Sequence, residues 1–407
     1  MKGFEQVKSQ KSKVKSLKPE SLRAFLFSDE LKALRKKNLL RSITTVAPYP
    51  DLRIVVDGRR CLNFSSNDYL NLSSHPAIVR AAAGALNTYG FGAGASRLMS
   101  GTQIPHRELE ERIARFKNTE AALLFNSGYA ANTGVIPAIA GSGDEVFSDE
   151  LNHASIVDGI RLCRAAVNVF RHRDTTHLED LLKKSPGRGK RRLVITDTVF
   201  SMDGDIAPLK DILFLCNRYK AFLMVDDAHG TGVLGNTGRG GLEHFGIRSD
   251  TIIQIGTLSK AAGCLGAFVA GEKELIEILI NRARSFIYST ALPPAVAAAG
   301  KISLDIIDSR SQGLRKRLWK NRERLVRGLA ALGFDTLSSE TPIVPVLAGN
   351  VKDALMLARH LMKCGIFAPA IRPPTVPEDR CRIRFSVTAG QRDEDIDRVL
   401  QCMGRYG

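Results

Sequence analysis

The chain alternates short apolar segments with stretches of helix length between residues 121 and 270. The strand candidates are Ala121 to Phe125, Glu145 to Ser148, Asn168 to Phe170, Arg192 to Asp197, Ala221 to Val225, Thr251 to Ile255 and Ala267 to Ala270. Continuous apolar strands joined by helical crossovers are typical of parallel sheets that helices cover on both faces. The alternation therefore predicts an α/β fold around a mostly parallel central sheet.

The sequence on either side of this region predicts further elements. Glu30 to Arg41 is expected to be helical, and Arg53 to Phe64 to form a hairpin around Asp57-Gly58. A basic helical stretch, Pro294 to Leu332, leads into alternating strands and helices that indicate a smaller C-terminal α+β domain. We expect four parts, namely a basic mobile tail (1–20), a helix and hairpin segment (21–64), a large domain (65–298) and a small domain (299–407).

The charge of the chain raises the question of a polyanionic partner. The sequence holds 59 Lys and Arg against 42 Asp and Glu, a net charge of +17, and residues 1–41 contribute 12 basic and 4 acidic residues to it. A strongly basic chain can bind nucleic acid. The N-terminal arm, however, lacks interleaved aromatic residues and a recognisable nucleic-acid-binding fold. A solubilising extension is the favoured interpretation, and nucleic-acid binding is the less favoured alternative.

The sequence disfavours a membrane span, a disulfide framework and a metal site. No apolar run approaches the 18 or more residues that cross a bilayer, and the first residues lack the apolar core of a signal peptide. The seven cysteines are scattered and never form a C-x-x-C pair, so neither disulfides nor a zinc site are predicted. We expect a soluble cytoplasmic protein without metal ligands.

Two predicted strands end in residues that could form a cofactor site. Ala221 to Val225 runs into Asp226, and Thr251 to Ile255 runs towards Lys260 through Thr257 and Ser259. Ligands of such sheets gather at the carboxyl ends of the strands. A lysine that loses its proton in a desolvated site can form a Schiff base with an aldehyde, and a carboxylate can keep a pyridine nitrogen protonated. Either residue alone would more simply be a helix cap or a surface lysine, but together they are what a pyridoxal phosphate site requires.

The same segments resemble a known family. Residues 225–232 (VDDAHGTG) and 257–261 (TLSKA) are similar to segments of the α-oxoamine synthases, pyridoxal-phosphate-dependent enzymes of the aspartate aminotransferase fold, also called fold type I. The resemblance extends from about Arg41 to the C-terminus. It implies pyridoxal 5′-phosphate as cofactor and the condensation of a small amino acid with an acyl thioester, with loss of carbon dioxide.

The resemblance also implies residue roles around the cofactor. Lys260 would bond to the cofactor and remove the substrate's Cα proton, Asp226 would pair with the pyridine nitrogen, and His153 would stack on the ring. His153 and His229 would also steer protons. The remaining cofactor contacts would come from Gly128, Tyr129, Ser201, His229, Thr257, Ser259 and Thr290. Because Ser289-Thr290 matches a stretch that reaches the neighbouring subunit's phosphate, a homodimer with shared active sites is implied.

Substrate contacts follow from the resemblance in the same way. Asn67 and Arg384 would hold the amino acid's carboxylate, since a guanidinium is a natural carboxylate partner, and His153 would also contact the substrate. Arg41 and Thr375 would touch substrate. Residues 370–377 (AIRPPTVP) resemble those of family members that join L-alanine to a pimeloyl thioester in biotin synthesis. Glycine with acetyl-CoA, or serine with a long acyl group, are the alternatives, and the donor could be linked to CoA or to an acyl carrier protein.

Overall fold

The computed structural model describes residues 19–49, 53–185, 191–248 and 251–406. The helices are α1 (Pro19–Lys36), α2 (Pro76–Tyr89), α3 (Ile104–Lys117), α4 (Gly128–Ile139), α5 (Ala154–Leu162), α6 (Thr175–Lys184), α7 (Leu209–Tyr219), α8 (Gly241–Phe245), α9 (Lys273–Arg282), α10 (Arg284–Ile287), α11 (Pro294–Arg310), α12 (Gln312–Ala331), α13 (Val351–Lys363) and α14 (Asp393–Met403). The strands are β1 (Val46–Tyr49), β2 (Arg53–Val56), β3 (Arg59–Asn63), β4 (Ala121–Phe125), β5 (Glu145–Asp149), β6 (Ala166–Phe170), β7 (Arg192–Asp197), β8 (Phe222–Asp226), β9 (Ile252–Thr257), β10 (Ala267–Gly271), β11 (Ile343–Gly349), β12 (Ile366–Phe367), β13 (Ala370–Ile371) and β14 (Cys381–Ser386).

The largest sheet among the described residues has seven strands in the order β4-β10-β9-β8-β7-β5-β6. β6, β5, β7, β8 and β9 run parallel, whereas β10 is antiparallel to both β9 and β4. Apolar side chains of α4, α5, α9 and α10 pack on one face, and those of α6 and α7 pack on the other. The predicted α/β fold with a mostly parallel sheet is confirmed, and each of the seven strand candidates is a strand.

The N-terminal segment differs from its prediction in one respect. The hairpin β2–β3 is present, with positive φ at both Asp57 and Gly58, as a tight two-residue turn requires. The helix, however, begins at Pro19 and ends at Lys36, so the expected helix from Glu30 to Arg41 is wrong in both bounds. Arg41 lies in irregular backbone beyond it. This freedom from the helix allows Arg41 to reach the C-terminal half of the chain.

The C-terminal third packs as expected around a small sheet. α11 and α12 divide the predicted long basic helical stretch at Ser311, and the strands β11, β14 and β13 form an antiparallel sheet beside α13 and α14. The expected limit between residues 298 and 299 falls within α11, and the four-part division stays a prediction. Residues 1–18 of the expected tail lie outside the described residues, whereas Pro19 and Glu20 begin α1.

The cysteine prediction is wrong for one pair. Cys364, directly after α13, and Cys402, in α14, form a disulfide with a Cα–Cα distance of 6.3 Å. The spacing of these two cysteines, 38 positions apart in the sequence, does not predict their pairing, because only the packing of α13 against α14 brings them together. His360 lies beside the pair as a third group that could hold a metal ion, but thiols joined in a disulfide are not free to ligate one.

None of the helices in the described ranges is both long enough and apolar enough to cross a membrane.

Candidate active site

The two strands that end in Asp226 and approach Lys260 are neighbours. β8 and β9 pair in parallel, with Asp226 opposite Ile255, so their carboxyl ends meet at one edge of the sheet. After Thr257 the chain turns back towards β10. Thr257 Oγ1 donates to the carbonyl of Gly266 at 2.9 Å, and the Gly263 amide donates to the Lys260 carbonyl at 2.8 Å. This closed turn places Lys260 beside the tip of β8.

Lys260 has the electrostatic surroundings of a reactive amine. Its removal from bulk water lowers its pKa from 10.5 to about 8, while the carboxylates of Asp226 and Asp197 oppose that shift. At pH 7 about a tenth of such an amine is neutral, far more than of an exposed lysine. Lys260 can therefore act as a nucleophile and as a base near neutral pH.

Asp226 is held by two donors. Asn132 Nδ2, from α4, donates to Oδ2 at 2.7 Å, and the Ala228 amide donates to Oδ1 at 3.0 Å. Its sequence neighbour Asp227 faces elsewhere, towards Lys117 Nζ at 2.7 Å. Of these two acids, Asp226 is therefore the one that acts on Lys260. The sequence analysis assigned no role to Asn132, although it lies one helical turn after Gly128 and so at a position that faces the strand tips.

Asp197, at the end of β7, is a second carboxyl that the sequence analysis did not single out. It is buried, and its pKa is raised well above the ordinary value by that burial and next by the negative charge of Asp226. Its Oδ2 accepts from the backbone amide of His153 at 2.8 Å. Asp197 thereby fixes the start of α5, the helix that His153 caps.

His153 stands at the open side of the same edge. Loss of water lowers its pKa, and the charge of Lys260 adds to that effect while Asp226 opposes it. Its Nδ1 lies 2.7 Å from the hydroxyl of Ser155. His153, Asp226 and Lys260 are thus close enough to influence one another electrostatically.

The helix α4 presents open donors at its first turn. Ser127 caps it by accepting from the Ala130 amide at 3.1 Å, while the amides of Gly128 and Tyr129 have no acceptor among the described residues. Unpaired amides and the helix dipole favour an anion such as phosphate. The Tyr129 side chain is half-exposed and donates its hydroxyl to Asp158, so the backbone of Tyr129 is the part that faces this position.

Three other predicted phosphate contacts have different surroundings. The hydroxyls of Thr257 and Ser259 both donate to the Gly266 carbonyl, at 2.9 and 3.2 Å, so in this structure they shape the lysine turn. Thr290 is exposed, pairs with Ser96 in an isolated bridge, and accepts from Asn126 Nδ2 through its carbonyl at 2.8 Å. Its hydroxyl has no partner among the described residues.

Arg384 is a buried guanidinium without a carboxylate partner in the described part of the chain. It is 8% exposed on β14 and donates to the Ser201 carbonyl at 2.5 Å and to Asn67 Oδ1 at 3.2 Å. Its neighbour Arg382, by contrast, is neutralised by Asp203 at 2.6 Å. Because an uncompensated buried charge is costly, Arg384 is suited to bind an anionic ligand.

Tyr69 connects Arg384 to His229. Its hydroxyl lies 2.7 Å from His229 Nδ1 and accepts from Arg384 Nη2 at 3.3 Å. The pKa of His229 lies well below 6.5, first because it is buried and next because Lys260 and Arg384 carry positive charge. A neutral His229 can accept the Tyr69 proton at Nδ1. The sequence analysis assigned no role to Tyr69.

Arg41 and Thr375 meet at the rim of the cleft although 334 residues separate them. Arg41 Nη2 donates to Thr375 Oγ1 at 3.2 Å and to the carbonyls of Arg372 and Pro373 at 3.3 and 3.2 Å. Both side chains are exposed. All residues assigned from the sequence thus have a described position, and those nearest the chemistry, Asp226, Lys260, His153, His229 and Arg384, influence one another electrostatically.

These groups fit pyridoxal phosphate. A buried carboxylate held by two donors suits a protonated pyridine nitrogen, an amine with a lowered pKa suits an aldehyde, and open amides at the start of α4 suit a phosphate. Asp226, Lys260, Gly128 and Tyr129 would hold the cofactor.

The lysine turn touches the loop before α2 at Gly263, which offers a test of this geometry. Gly263 has φ +64°, and a Cβ there would lie 2.4 Å from the Ser73 amide; Gly246 has φ +65° and open space around it. We expect Gly246→Ala to cost about 1 kcal/mol for its backbone conformation. Gly263→Ala should lower the free energy of unfolding by roughly 1–3 kcal/mol more than Gly246→Ala does, because the backbone near Ser73 must move. Urea unfolding of both variants measures this difference. Equal losses of unfolding free energy would show that the contact with Ser73 does not constrain the turn.

Comparison with known proteins places the chain in a family. The sequence model for class I and II aminotransferases matches residues 59–402. The 8-amino-7-oxononanoate synthase of Geobacter sulfurreducens is 52% identical over 93% of this chain and 97% of that protein, and that of Geobacter metallireducens is 50% identical over 94% and 97%.

Solved structures agree with the sequence relatives. The serine palmitoyltransferase of Sphingomonas wittichii superposes with a TM-score of 0.89 at 30% identity over 95% of this chain and 97% of that one. The 8-amino-7-oxononanoate synthase of Francisella tularensis gives 0.74 at 30% identity over 85% and 97%. Further serine palmitoyltransferase structures with a TM-score of 0.89 contain PLP. The chain therefore belongs to the 8-amino-7-oxononanoate synthases, pyridoxal-phosphate-dependent acyltransferases of the α-oxoamine synthase family with the class I and II aminotransferase fold.

Proposed function

We propose that the protein condenses L-alanine with a pimeloyl thioester to give 8-amino-7-oxononanoate, carbon dioxide and the free thiol carrier, a step of biotin synthesis. The observation that carries this proposal is that the buried Lys260, with its pKa lowered to about 8, lies within electrostatic range of both the Asp226 carboxylate and the Arg384 guanidinium, which has no carboxylate partner among the described residues. That arrangement supports proton removal next to a bound carboxylate. The names of the relatives at about 50% identity support the choice of substrates.

The residues divide the work of the reaction between them. Arg384 and Asn67 bind the amino acid's carboxylate, which directs its Cα towards Lys260. Lys260 Nζ removes the Cα proton, because desolvation makes its neutral form accessible. Pyridoxal phosphate, when bound, supplies the electron sink for the carbanion. Asp226, fixed by Asn132 and the Ala228 amide, would pair with the pyridine nitrogen of the bound cofactor.

The histidines and the rim residues complete the site. His229, kept neutral by burial and by the nearby cations, holds the Tyr69 hydroxyl and so keeps Arg384 in position. His153, at the open side, would stack on the bound ring and exchange protons with the substrate. Ser201 would contact the cofactor's phenolic oxygen. Arg41, which donates to Thr375 Oγ1 at 3.2 Å, would contact the acyl substrate together with Thr375. The expected location in the cytoplasm stays a prediction.

The substrate assignment is tested by a panel of reactions. L-alanine, glycine and serine are each combined with pimeloyl, acetyl and palmitoyl thioesters, and release of the free thiol is followed. We expect L-alanine with the pimeloyl thioester to give the highest kcat/KM. Activity confined to glycine with acetyl-CoA, or to serine with palmitoyl-CoA, would contradict the proposal in favour of a related synthase.

The role of Lys260 predicts a pH dependence. Only a neutral amine attacks an aldehyde, so the rate at which cofactor-free protein bonds to pyridoxal phosphate should rise with pH around a midpoint near 8. Asp226→Asn should move this midpoint lower, because the Asp226 carboxylate stabilises the charged amine. The exposed and remote Asp211→Asn is the matched control and should leave it unchanged. Stopped-flow absorbance in the visible range measures the rate, and a midpoint near 10.5 would overturn the assignment, as would absorbance that persists in Lys260→Ala.

An exposed apolar surface beside Thr290 supports the proposed homodimer. Phe91, Met99 and Tyr288 are 83%, 77% and 71% exposed, and they flank the Ser96–Thr290 bridge. A second copy on this surface would bury these side chains and receive the free hydroxyl of Thr290.

Mixing two inactive variants tests whether the sites are shared. Lys260→Ala lacks the reactive amine, and Thr290→Asp sets a negative charge against the phosphate. If Thr290 serves the neighbouring subunit, a mixed dimer contains one unaltered site, and refolding an equal mixture should restore about a quarter of the unaltered activity in a statistical population. If Thr290 serves its own subunit, the mixture should stay inactive.

A further inference from the structure

His172 links two loops of the candidate active site. It lies in the turn between β6 and α6, and carboxylates face its ring from both sides. Its Nδ1 lies 3.0 Å from Oδ1 of Asp149, and its Nε2 lies 2.8 Å from Oδ2 of Asp205. Both acids are buried, at 2% exposure each. We call these three residues the imidazole clasp.

The geometry of the imidazole clasp requires a doubly protonated ring. An ionised carboxylate only accepts hydrogen bonds, so both ring nitrogens have to donate. Burial alone would lower the pKa of His172, but the hydrogen bonds and charges of Asp149 and Asp205 outweigh burial and raise that pKa to about 9. Burial also opposes the ionisation of Asp205, whose pKa is nevertheless lowered by His172 and then by Arg173. The clasp therefore holds a cation between two anions near neutral pH.

Each carboxylate of the imidazole clasp belongs to a loop that carries a predicted site residue. Asp149 is the last residue of β5, and the turn that follows it leads to His153 at the start of α5. Asp205 closes the loop that contains Ser201, because the Asp205 carbonyl accepts from the Phe200 amide at 3.1 Å. The clasp thus ties the His153 loop to the Ser201 loop.

The Ser201 loop contacts the imidazole clasp a second time through Phe200. The Phe200 ring is 1% exposed and lies at right angles to the imidazole of His172, with 4.3 Å between the ring centroids. The next residue, Ser201, accepts through its carbonyl from Nε of Arg384 at 2.5 Å. One ring contact and one hydrogen bond therefore connect His172 to the guanidinium that would bind the substrate's carboxylate.

Other charged groups surround the imidazole clasp. Arg173 donates to Asp205 Oδ2 at 3.2 Å and pairs with Glu340, which precedes β11, at 3.3 Å. Glu150 accepts from the backbone amide of His172 at 2.8 Å. Further charged groups nearby are two ion pairs, Arg171 with Asp174 at 2.7 Å and Arg382 with Asp203 at 2.6 Å, and two residues of the adjoining cavity, Asp335 and Arg380. The two carboxylates of the clasp are the groups that raise the pKa of its imidazole.

We propose that His172 is a positioning residue, which in its doubly protonated form holds the Ser201 loop where Arg384 can bind the substrate's carboxylate. This inference rests on the proposed function, since it takes Arg384 as the partner of that carboxylate. His172 acts through Phe200 and Ser201 and not by contact with the substrate. When the pH rises through about 9, the ring loses a proton and can donate to only one of its two carboxylates. The carboxylate should then bind more weakly.

The protonation of the imidazole clasp is tested on the holoenzyme by NMR of protein that contains labelled histidine. The signal of His172 is the one that His172→Gln removes. We expect it to titrate with a midpoint near 9, and Asp205→Asn should lower this midpoint because it removes one anion from the ring. A midpoint near the ordinary value of 6.5 would overturn the proposal.

The effect on the site is measured with propionate, which carries the carboxylate of alanine without its amino group. Its Kd for the holoenzyme is obtained from the change in visible absorbance of the bound cofactor. In the unaltered protein we expect this Kd to rise about fivefold between about pH 7 and about pH 10. In His172→Gln the Kd should be raised already at about pH 7, and the step near 9 should be missing. Every other titrating group is present in both proteins, so the difference between the two profiles isolates His172.

Steady-state kinetics separate positioning from a general loss of structure. His172→Gln should raise the KM for L-alanine about fivefold, while kcat and the KM for the thioester stay close to those of the unaltered protein. His244→Gln is the matched control, because His244 is exposed on α8 and its ring packs on Phe245. It should change none of these constants.

Two results would overturn the positioning role. One is a propionate Kd with the same pH dependence in the unaltered protein and in His172→Gln, and the other is an equal rise of the KM for L-alanine and for the thioester. If His172→Gln does not fold, Asp205→Asn takes its place in each measurement, since it removes one acceptor of the same ring and should weaken propionate binding at about pH 7. Failure of the proposed function looks different. In that case the unaltered protein turns over no pimeloyl thioester with L-alanine, while the histidine titration and the propionate Kd still report on the imidazole clasp.

Discussion

The parallel pairing of β8 with β9 is the constraint on which the site depends. It delivers a carboxylate and an amine to the same edge of the sheet, close enough for Asp226 to oppose the lowering of the Lys260 pKa. Two further groups are affected by this pair. Burial and then the charge of Asp226 raise the pKa of Asp197, whereas burial and then the charges of Lys260 and Arg384 lower the pKa of His229.

The small sheet adds the part of the site that the large sheet cannot supply. Arg384 comes from β14, but its hydrogen bonds go to Ser201, Asn67 and Tyr69, which belong to other segments of the chain. The substrate's carboxylate would therefore bind where three distant stretches of sequence meet. The chain has to pack correctly over long sequence distances before this subsite exists.

Much of the fold could be predicted because its signals are local. Apolar strands separated by helices, the Asp57-Gly58 turn and the lysine after β9 can each be recognised within ten or so residues. The roles of Asn132, Tyr69 and Asp197 were not predicted, because each depends on a neighbour that only tertiary packing brings into contact with the side chain. The Cys364–Cys402 disulfide was missed for the same reason. The end of α1 was misplaced because Lys and Leu residues beyond Lys36 favour a helix, whereas Asn38 adopts a positive φ that ends it.

The short strand β12 (residues 366–367) pairs in parallel with β3, the second strand of the hairpin near the start of the chain. Some three hundred residues must emerge from the ribosome between these two partners. One edge of the N-terminal hairpin consequently stays unpaired during most of translation. Non-local strand pairing of this kind also forms slowly. Until residues 366–367 are available, the exposed edge of β3 can pair with strands of other chains.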